Sequence, residues 1–307
     1  MKLWDKGYEI EKRIEDFTVG NDRDWDRILA PYDVVGSMAH GAMLYKVGLL
    51  SKEEWEALAP ALKNIYLQTL EEGFVVMEDF EDIHSQVEFE LSEAVGTAGK
   101  KIHTGRSRND QVLVDLKMFL RDEIKELVGL TKSIFTTLLE LSDQHKEVII
   151  PGYTHLQVAM PSSIGLWLSA YSETLIDDLR LLQAAFQQVN QNPLGSAAGY
   201  GSSFPIDRQL TTQLLGFETL HFNVVAAQIA RGKTESMIGF SLASFGATLG
   251  KLAMDICLYN SQNFGFITFP RHFTTGSSIM PHKKNPDVFE LVRGKCNHLQ
   301  SIPGQLS

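Results

Sequence analysis

The spacing of the prolines limits what this chain can fold into more than any other feature. The sequence holds ten, yet none lies between Pro60 and Pro151, and none between Pro205 and Pro270. A proline inside a helix removes one backbone hydrogen bond and clashes with the preceding turn, so two such gaps leave room for helices of unusual length. Apolar periodicity runs through them and beyond them. "SKEEWEALAPALKNIYLQTLEEG" opens on Ser51 with Glu54 three residues later, a capping-box pattern. Trp55, Leu58, Leu62, Ile65 and Thr69 then recur at helical spacing, and Gly73 offers a stop. From Asp110 to about His145, Val112, Leu116, Phe119, Leu120, Ile124 and Leu127 share one face. Further helices are predicted over about 163–190 and 225–260, the last rich in Ala, Gly and Ser, which lets neighbouring helices approach closely. No hairpin pattern stands out. The expectation is an all-α fold, a bundle with several long helices.

Charge and cysteine usage narrow the function. A net charge of −10 argues against a polyanion such as nucleic acid as partner, but not against a small anionic substrate bound by a local field. Cys257 and Cys296 are the only cysteines, in no paired or metal-like pattern, which fits a reducing cytoplasm. The opening "MKLWDKGYEIEKR" lacks the apolar core of a signal peptide, and the uncharged, apolar stretch 236–250 is too short to cross a membrane. No membrane partner is expected.

Chemistry belongs to the loops between the helices. "GKKIHTGRSRND" (99–110) is a basic island leading into a long helix, and helix N-termini and arginines both favour anions. Its residues alone suit a carboxylate-binding loop and a solvated basic turn equally. "PGYTHLQ" (151–157) carries Thr154 and His155; a histidine there can transfer protons near neutrality, though a lone loop histidine is more often structural. In "TTGSSIMPHKKNPD" (274–287), Asn285 and Pro286 read as N-cap and first residue of a helix, with Lys283 beside them, an arrangement suited to charge developing on an oxyanion. A Gly-x-Ser-x-Gly elbow, a P-loop and His-Glu-x-x-His are all absent, and "GSAAGYG" lacks dinucleotide spacing. Neither a metal nor a nucleotide cofactor is expected.

These stretches carry a resemblance. "GSSIMPHKKNP" (276–286) resembles the signature loop of the fumarase/aspartase superfamily. "HTGRSRNDQV" (103–112), "PGYTHLQ", "FPIDR" (204–208) and "KKNPDVFELVRGK" (283–295) are similar, in order, to the argininosuccinate lyase family. The resemblance implies a long-helix bundle in a cytoplasmic homotetramer, with active sites shared between subunits. It also implies cofactor-free elimination of fumarate from argininosuccinate, in arginine biosynthesis. By position, Ser277 matches the general base, with Ser278 as fallback, and Lys283 and Asn285 match groups that stabilise the carbanion. His155 matches the acid-side histidine and Glu290 the carboxylate that orients it. Ser107, Arg108, Asn109, Thr154 and, more weakly, Asp82 and His84 match substrate-binding positions.

The implied domains are an N-terminal helical domain, 1–106, and a central bundle, 107–307, with the C-terminal part of the family fold expected to be missing. Two features depart from the family pattern. Arg231 and Lys233 occupy "NVVAAQIARGKTES" (223–236), where an aspartate-containing run is common. His282 stands where glutamine is common and leans toward adenylosuccinate lyase, the nearest rival, while a crystallin-like structural role is the non-enzymatic alternative.

Overall fold

The computed structural model describes residue 17 and residues 19–306; the opening "MKLWDKGYEIEKR" lies outside them. In chain order the helices are α1 (Asp22–Lys46), α2 (Lys52–Thr69), α3 (Ile83–Val95), α4 (Thr97–Lys101) and α5 (Arg108–Gln144). A hairpin of β1 (Ile149–Thr154) and β2 (Gln157–Ser163) follows, then α6 (Ile164–Val189). Next come β3 (Gln191–Asn192), α7 (Arg208–Leu214), β4 (Thr219–Leu220), α8 (Val224–Ile229), α9 (Lys233–Asn260) and α10 (Asp287–Gln305). The fold is helical, as expected, and α5 runs for 37 residues.

The Ser51 capping box forms as read: Ser51 Oγ accepts from the Glu54 N–H at 3.2 Å, and Glu54 Oε2 accepts from the Ser51 N–H at 2.9 Å. Two expectations fail. The single helix over 225–260 is broken into α8 and α9 at Gly232, whose φ of +81° lies in the left-handed region that no continuing helix adopts. And β1 pairs antiparallel with β2, a hairpin the sequence did not announce. Pro151, Gly152 and Pro161 blur its strand pattern, and its two-residue turn is His155-Leu156 rather than Asn-Gly. Helix α9 also exceeds the apolar run counted from sequence: by length and composition it is long enough to cross a membrane, and half of its most apolar window is buried within the protein.

Packing divides the chain into two units. The first comprises residues 1–122 and 189–231, with a core of side chains such as Met43, Leu44, Leu58, Leu62, Ile83 and Leu91. Two contacts in it are unusually close. A Cβ on Gly41 would fall 2.7 Å from Trp55, and one on Gly99 would fall 2.5 Å from the backbone of Leu91 and Ser92. The short α4 thus lies directly on α3.

The second unit comprises residues 123–188 and 232–307. In it α10 lies along a glycine track on α9. A Cβ on Gly239 would meet Leu306 at 3.0 Å, one on Gly246 the Cys296 carbonyl at 2.9 Å, and one on Gly250 the Cys296 side chain at 3.3 Å. This is the close approach that the small residues of the 225–260 stretch imply.

Because the Gly99 contact is with backbone, no side-chain rotation relieves it. The Gly99→Ala variant is expected to lose about 1–3 kcal/mol of stability, read as a lower denaturant midpoint. An unchanged midpoint would show that α3 and α4 are not in contact as described.

Candidate active site

The candidate residues fall into two groups, one in each unit. In the first unit, Asp110 anchors the basic loop to the start of α5. Its Oδ1 accepts from the Ser107 N–H at 2.8 Å, and its Oδ2 from the N–H groups of Gly195 (2.8 Å) and Ala197 (2.9 Å). This buried carboxylate therefore joins "GRSRND" to the glycine-rich "GSAAGYG" loop, whose Gly195 and Ala197 have positive φ. Ser107 Oγ in turn accepts from Asn109, through its N–H at 3.3 Å and its Nδ2 at 3.4 Å. Arg108 pairs with Asp82 and donates to Ser85 Oγ at 2.8 Å, which ties the loop to the start of α3. Arg231, one of the residues that departs from the family pattern, donates to the Asn109 carbonyl at 3.1 Å. That stretch therefore braces the loop.

His84 lies beside this loop but is buried, 7% exposed, so much of its capacity is already committed. Its Nδ1 lies 2.8 Å from Asp33 Oδ1 and 3.8 Å from Asp115 Oδ2. Gln111 Nε2 also donates to Asp33, and Arg106 donates to Ser37 Oγ at 3.0 Å. Burial alone would favour the neutral imidazole, but Asp33, Asp115 and Asp26 outweigh it and push the His84 pKa up to about 9. Burial likewise opposes charge on Asp33, yet His84, Arg106 and Gln111 hold its carboxyl below the usual range. Asp115 goes the other way: burial and the adjacent Asp33 charge raise it well above that range. Both Asp115 oxygens are buried without a hydrogen-bonding partner among the described residues, so desolvation weighs fully against its charged form. His84, Asp33 and Asp115 carry a ligand set of the kind that can hold a metal ion. Here the imidazolium supplies the positive charge between the two carboxyls. His84, His103, Arg106, Arg108 and Gln111 also border a cavity of about 10 Å³, room for one water molecule. Burial, then Arg106, lowers the His103 pKa to about 4, so the cations facing this cavity are the arginines and His84.

In the second unit the hairpin presents Thr154 and His155 at its apex, both exposed. His155 and Leu156 have φ of +52° and +61°, the left-handed pair that a tight two-residue turn requires and that only glycine adopts freely. Non-glycine residues persist there only when their surroundings hold them. The loop that bears Ser277 is closed at its base by a backbone bridge: the Asn285 N–H donates to the Thr275 carbonyl at 2.9 Å, and the Thr275 N–H to the Asn285 carbonyl at 3.3 Å. Thr275 Oγ1 also bonds Asp287. Within the loop, Ser277 Oγ accepts from the N–H groups of Ile279 (3.3 Å) and Met280 (3.2 Å).

The capping expectation is corrected. Helix α10 begins at Asp287 with Pro286 as its N-cap, one residue later than read, because the Asn285 side chain turns back to Thr275 Oγ1 at 3.4 Å. Lys283, Ser278 and Glu290 are exposed. Among the described residues, no hydrogen bond or ion pair joins Ser277, His155, Lys283 and Glu290 to one another.

Sequence reasoning missed Asp33, Asp110 and Asp115. A signal for the first existed: Asp33, Ser37 and His40 recur at i, i+4 and i+7 on α1, a polar stripe facing inward.

Comparison with known proteins follows this geometry. Residues 10–300 match a family described as lyase. The chain is 59% identical over 305 residues to the argininosuccinate lyase of Parabacteroides distasonis, covering 99% of this chain and 68% of the relative. It is 58% identical to that of Bacteroides fragilis over the same shares. A structure of EDDS lyase in complex with formate superposes with a TM-score of 0.82 at 28% identity, covering 96% of this chain and 58% of that one. The chain thus spans less than two thirds of the length of the latter.

The His84 pair fixes a pH dependence. A folded-state pKa near 9, above the ordinary 6.5, means the stabilisation is fully present below pH 6.5 and disappears as pH rises through 9. The stability difference between wild type and the His84→Gln variant is therefore expected to shrink by roughly 3 kcal/mol across that window. Denaturant melts at several pH values check this, and a difference flat in pH removes the charged pair.

Proposed function

Because the chain belongs to the argininosuccinate lyase family, we propose that the full-length protein cleaves argininosuccinate to arginine and fumarate by base-catalysed elimination. The observation that carries this reading is the Ser277 hydroxyl, seated in the family-matching loop and accepting two backbone N–H bonds. A serine is a weak base at neutral pH. Hydrogen bonds to the charged form favour it, so dipoles already aimed at Oγ lower the cost of an alkoxide there.

In this reading Ser277, as the alkoxide, takes the proton from the succinyl carbon next to a carboxylate and becomes the neutral hydroxyl. The resulting carbanion spreads its charge into that carboxylate, where Lys283 and Asn285 stabilise it. His155 serves the acid side, where the departing guanidinium nitrogen gains its proton, and Glu290 orients it. Thr154, Ser107, Arg108 and Asn109 bind the anionic substrate. The direct commitment of His84 to Asp33 supports a supporting role at the edge of that binding loop.

The same reading makes the protein a cytoplasmic homotetramer of arginine biosynthesis that needs no cofactor, with a helical N-terminal domain over 1–106 and a central bundle from 107. Sharing of sites between subunits accounts for two features. His155 is exposed at the tip of a hairpin, and Leu156, Val158 and Met160 beside it are 79%, 69% and 65% exposed. Such an apolar, projecting element suits insertion against another subunit.

Fumarate release from argininosuccinate by the full-length protein is the direct test. The Ser277→Ala variant is expected to lower kcat by roughly 100-fold or more with little change in KM, the range for loss of a general base. Turnover retained in that variant rules out Ser277 as the base.

A further inference from the structure

Asp255 lies on α9, outside every motif considered so far, and one of its oxygens carries two bonds. Oδ2 accepts from Trp167 Nε1 at 3.0 Å and from the Tyr171 hydroxyl at 2.6 Å. Both donors lie on the first turns of α6, one helical turn apart. Burial, then Asp255, pushes the Tyr171 pKa up, so the phenol stays a donor. One turn along α9 from Asp255, Tyr259 packs on Trp167 with ring centroids 5.0 Å apart.

Tyr259 also reaches the segment beyond α9. Its ring lies 6.0 Å from Phe264 and 5.2 Å from Phe266, and its carbonyl accepts from the N–H groups of Phe266 (2.9 Å) and Ile267 (3.2 Å). Tyr153 packs on the same two rings, edge-on to Phe264 at 5.5 Å and tilted against Phe266 at 6.4 Å. Tyr153 directly precedes Thr154 and stands at the register shift of the hairpin, while the Phe264–Phe266 segment leads into the Ser277 loop. Further along, Phe269 stacks on Phe289 at 5.1 Å, joining that lead-in to the start of α10 on the loop's far side.

We propose that Asp255 is a positioning residue for the elimination: by pinning Trp167 and Tyr171 it seats one aromatic cluster that fixes both the hairpin bearing Thr154 and His155 and the lead-in to the loop bearing Ser277. The proposal rests on the proposed lyase activity. It explains why a strained His-Leu turn can hold its shape: the strand entering the turn is clamped at Tyr153, two residues before His155. Edge-to-face ring pairs and a carboxylate shared by two donors are directional, so they set orientation as well as burial. A misplacement of about 1 Å at a reacting group can cost on the order of 100-fold in rate.

The experiment compares full-length wild type with Asp255→Leu, Asp255→Asn, Tyr153→Leu and Tyr153→Phe. Leucine removes the acceptor or the ring, whereas asparagine and phenylalanine keep them. The expected result is a kcat lowered about tenfold to 100-fold in both leucine variants at nearly constant KM, with kcat restored within a few-fold in Asp255→Asn and Tyr153→Phe. Amide hydrogen exchange over 153–158 should quicken in the leucine variants alone. Wild-type kcat in the leucine variants, or equal losses in the leucine and conservative variants, overturns the proposal. If Asp255→Leu fails to fold, the Tyr153 pair decides by the same criteria. If wild type releases no fumarate, the lyase reading fails separately, and unchanged exchange in the leucine variants then overturns the coupling itself.

Discussion

A single buried carboxylate organises the first unit. Asp110 accepts three backbone N–H groups, one from its own loop and two from a loop 85 and 87 residues further on. An apolar side chain in its place could seal neither turn, because each of those N–H groups needs an acceptor once it leaves water. The position of Ser107, Arg108 and Asn109 at the head of a 37-residue helix follows from it. So does the use of glycines and a positive-φ alanine in the facing loop, since the backbone must curl to aim its N–H groups at one oxygen.

Much of the architecture could be read from residues. Apolar side chains at three- and four-residue spacing gave α2, α5 and α6 within a few residues, α2 with Pro60 in its interior, and the two long proline-free intervals hold α5 and α9. What escaped reading depends on single backbone angles or on distant partners. The break at Gly232 turns on one positive φ, which a permissive residue allows without demanding. The hairpin depends on a turn built from residues that disfavour it, held by Phe264 and Phe266 from beyond α9, which themselves rest on Tyr259. No local window contains that support.

The candidate site shows the same division. The loops bearing Ser277 and Arg108 could be singled out as candidates because their motifs are contiguous. Asp33 and Asp115 could not: an inward-facing acid looks like any solvated acid until its neighbours are known, and the cation that stabilises Asp33 stands 51 residues away. The result is a pair of chemically identical carboxyls pushed in opposite directions, Asp33 below and Asp115 above the ordinary range, because one faces the imidazolium directly and the other faces the first one's charge.

The Ser277 turn has one more consequence. An oxygen that already receives two N–H bonds has its lone pairs spoken for, which leaves its own hydrogen free to donate. Whatever approaches the loop meets a hydroxyl poised as a donor, and a carboxylate would be greeted by it before any proton moves. On the proposed reading recognition and proton abstraction share one atom in succession, and the backbone dipoles that favour an alkoxide there are already in place.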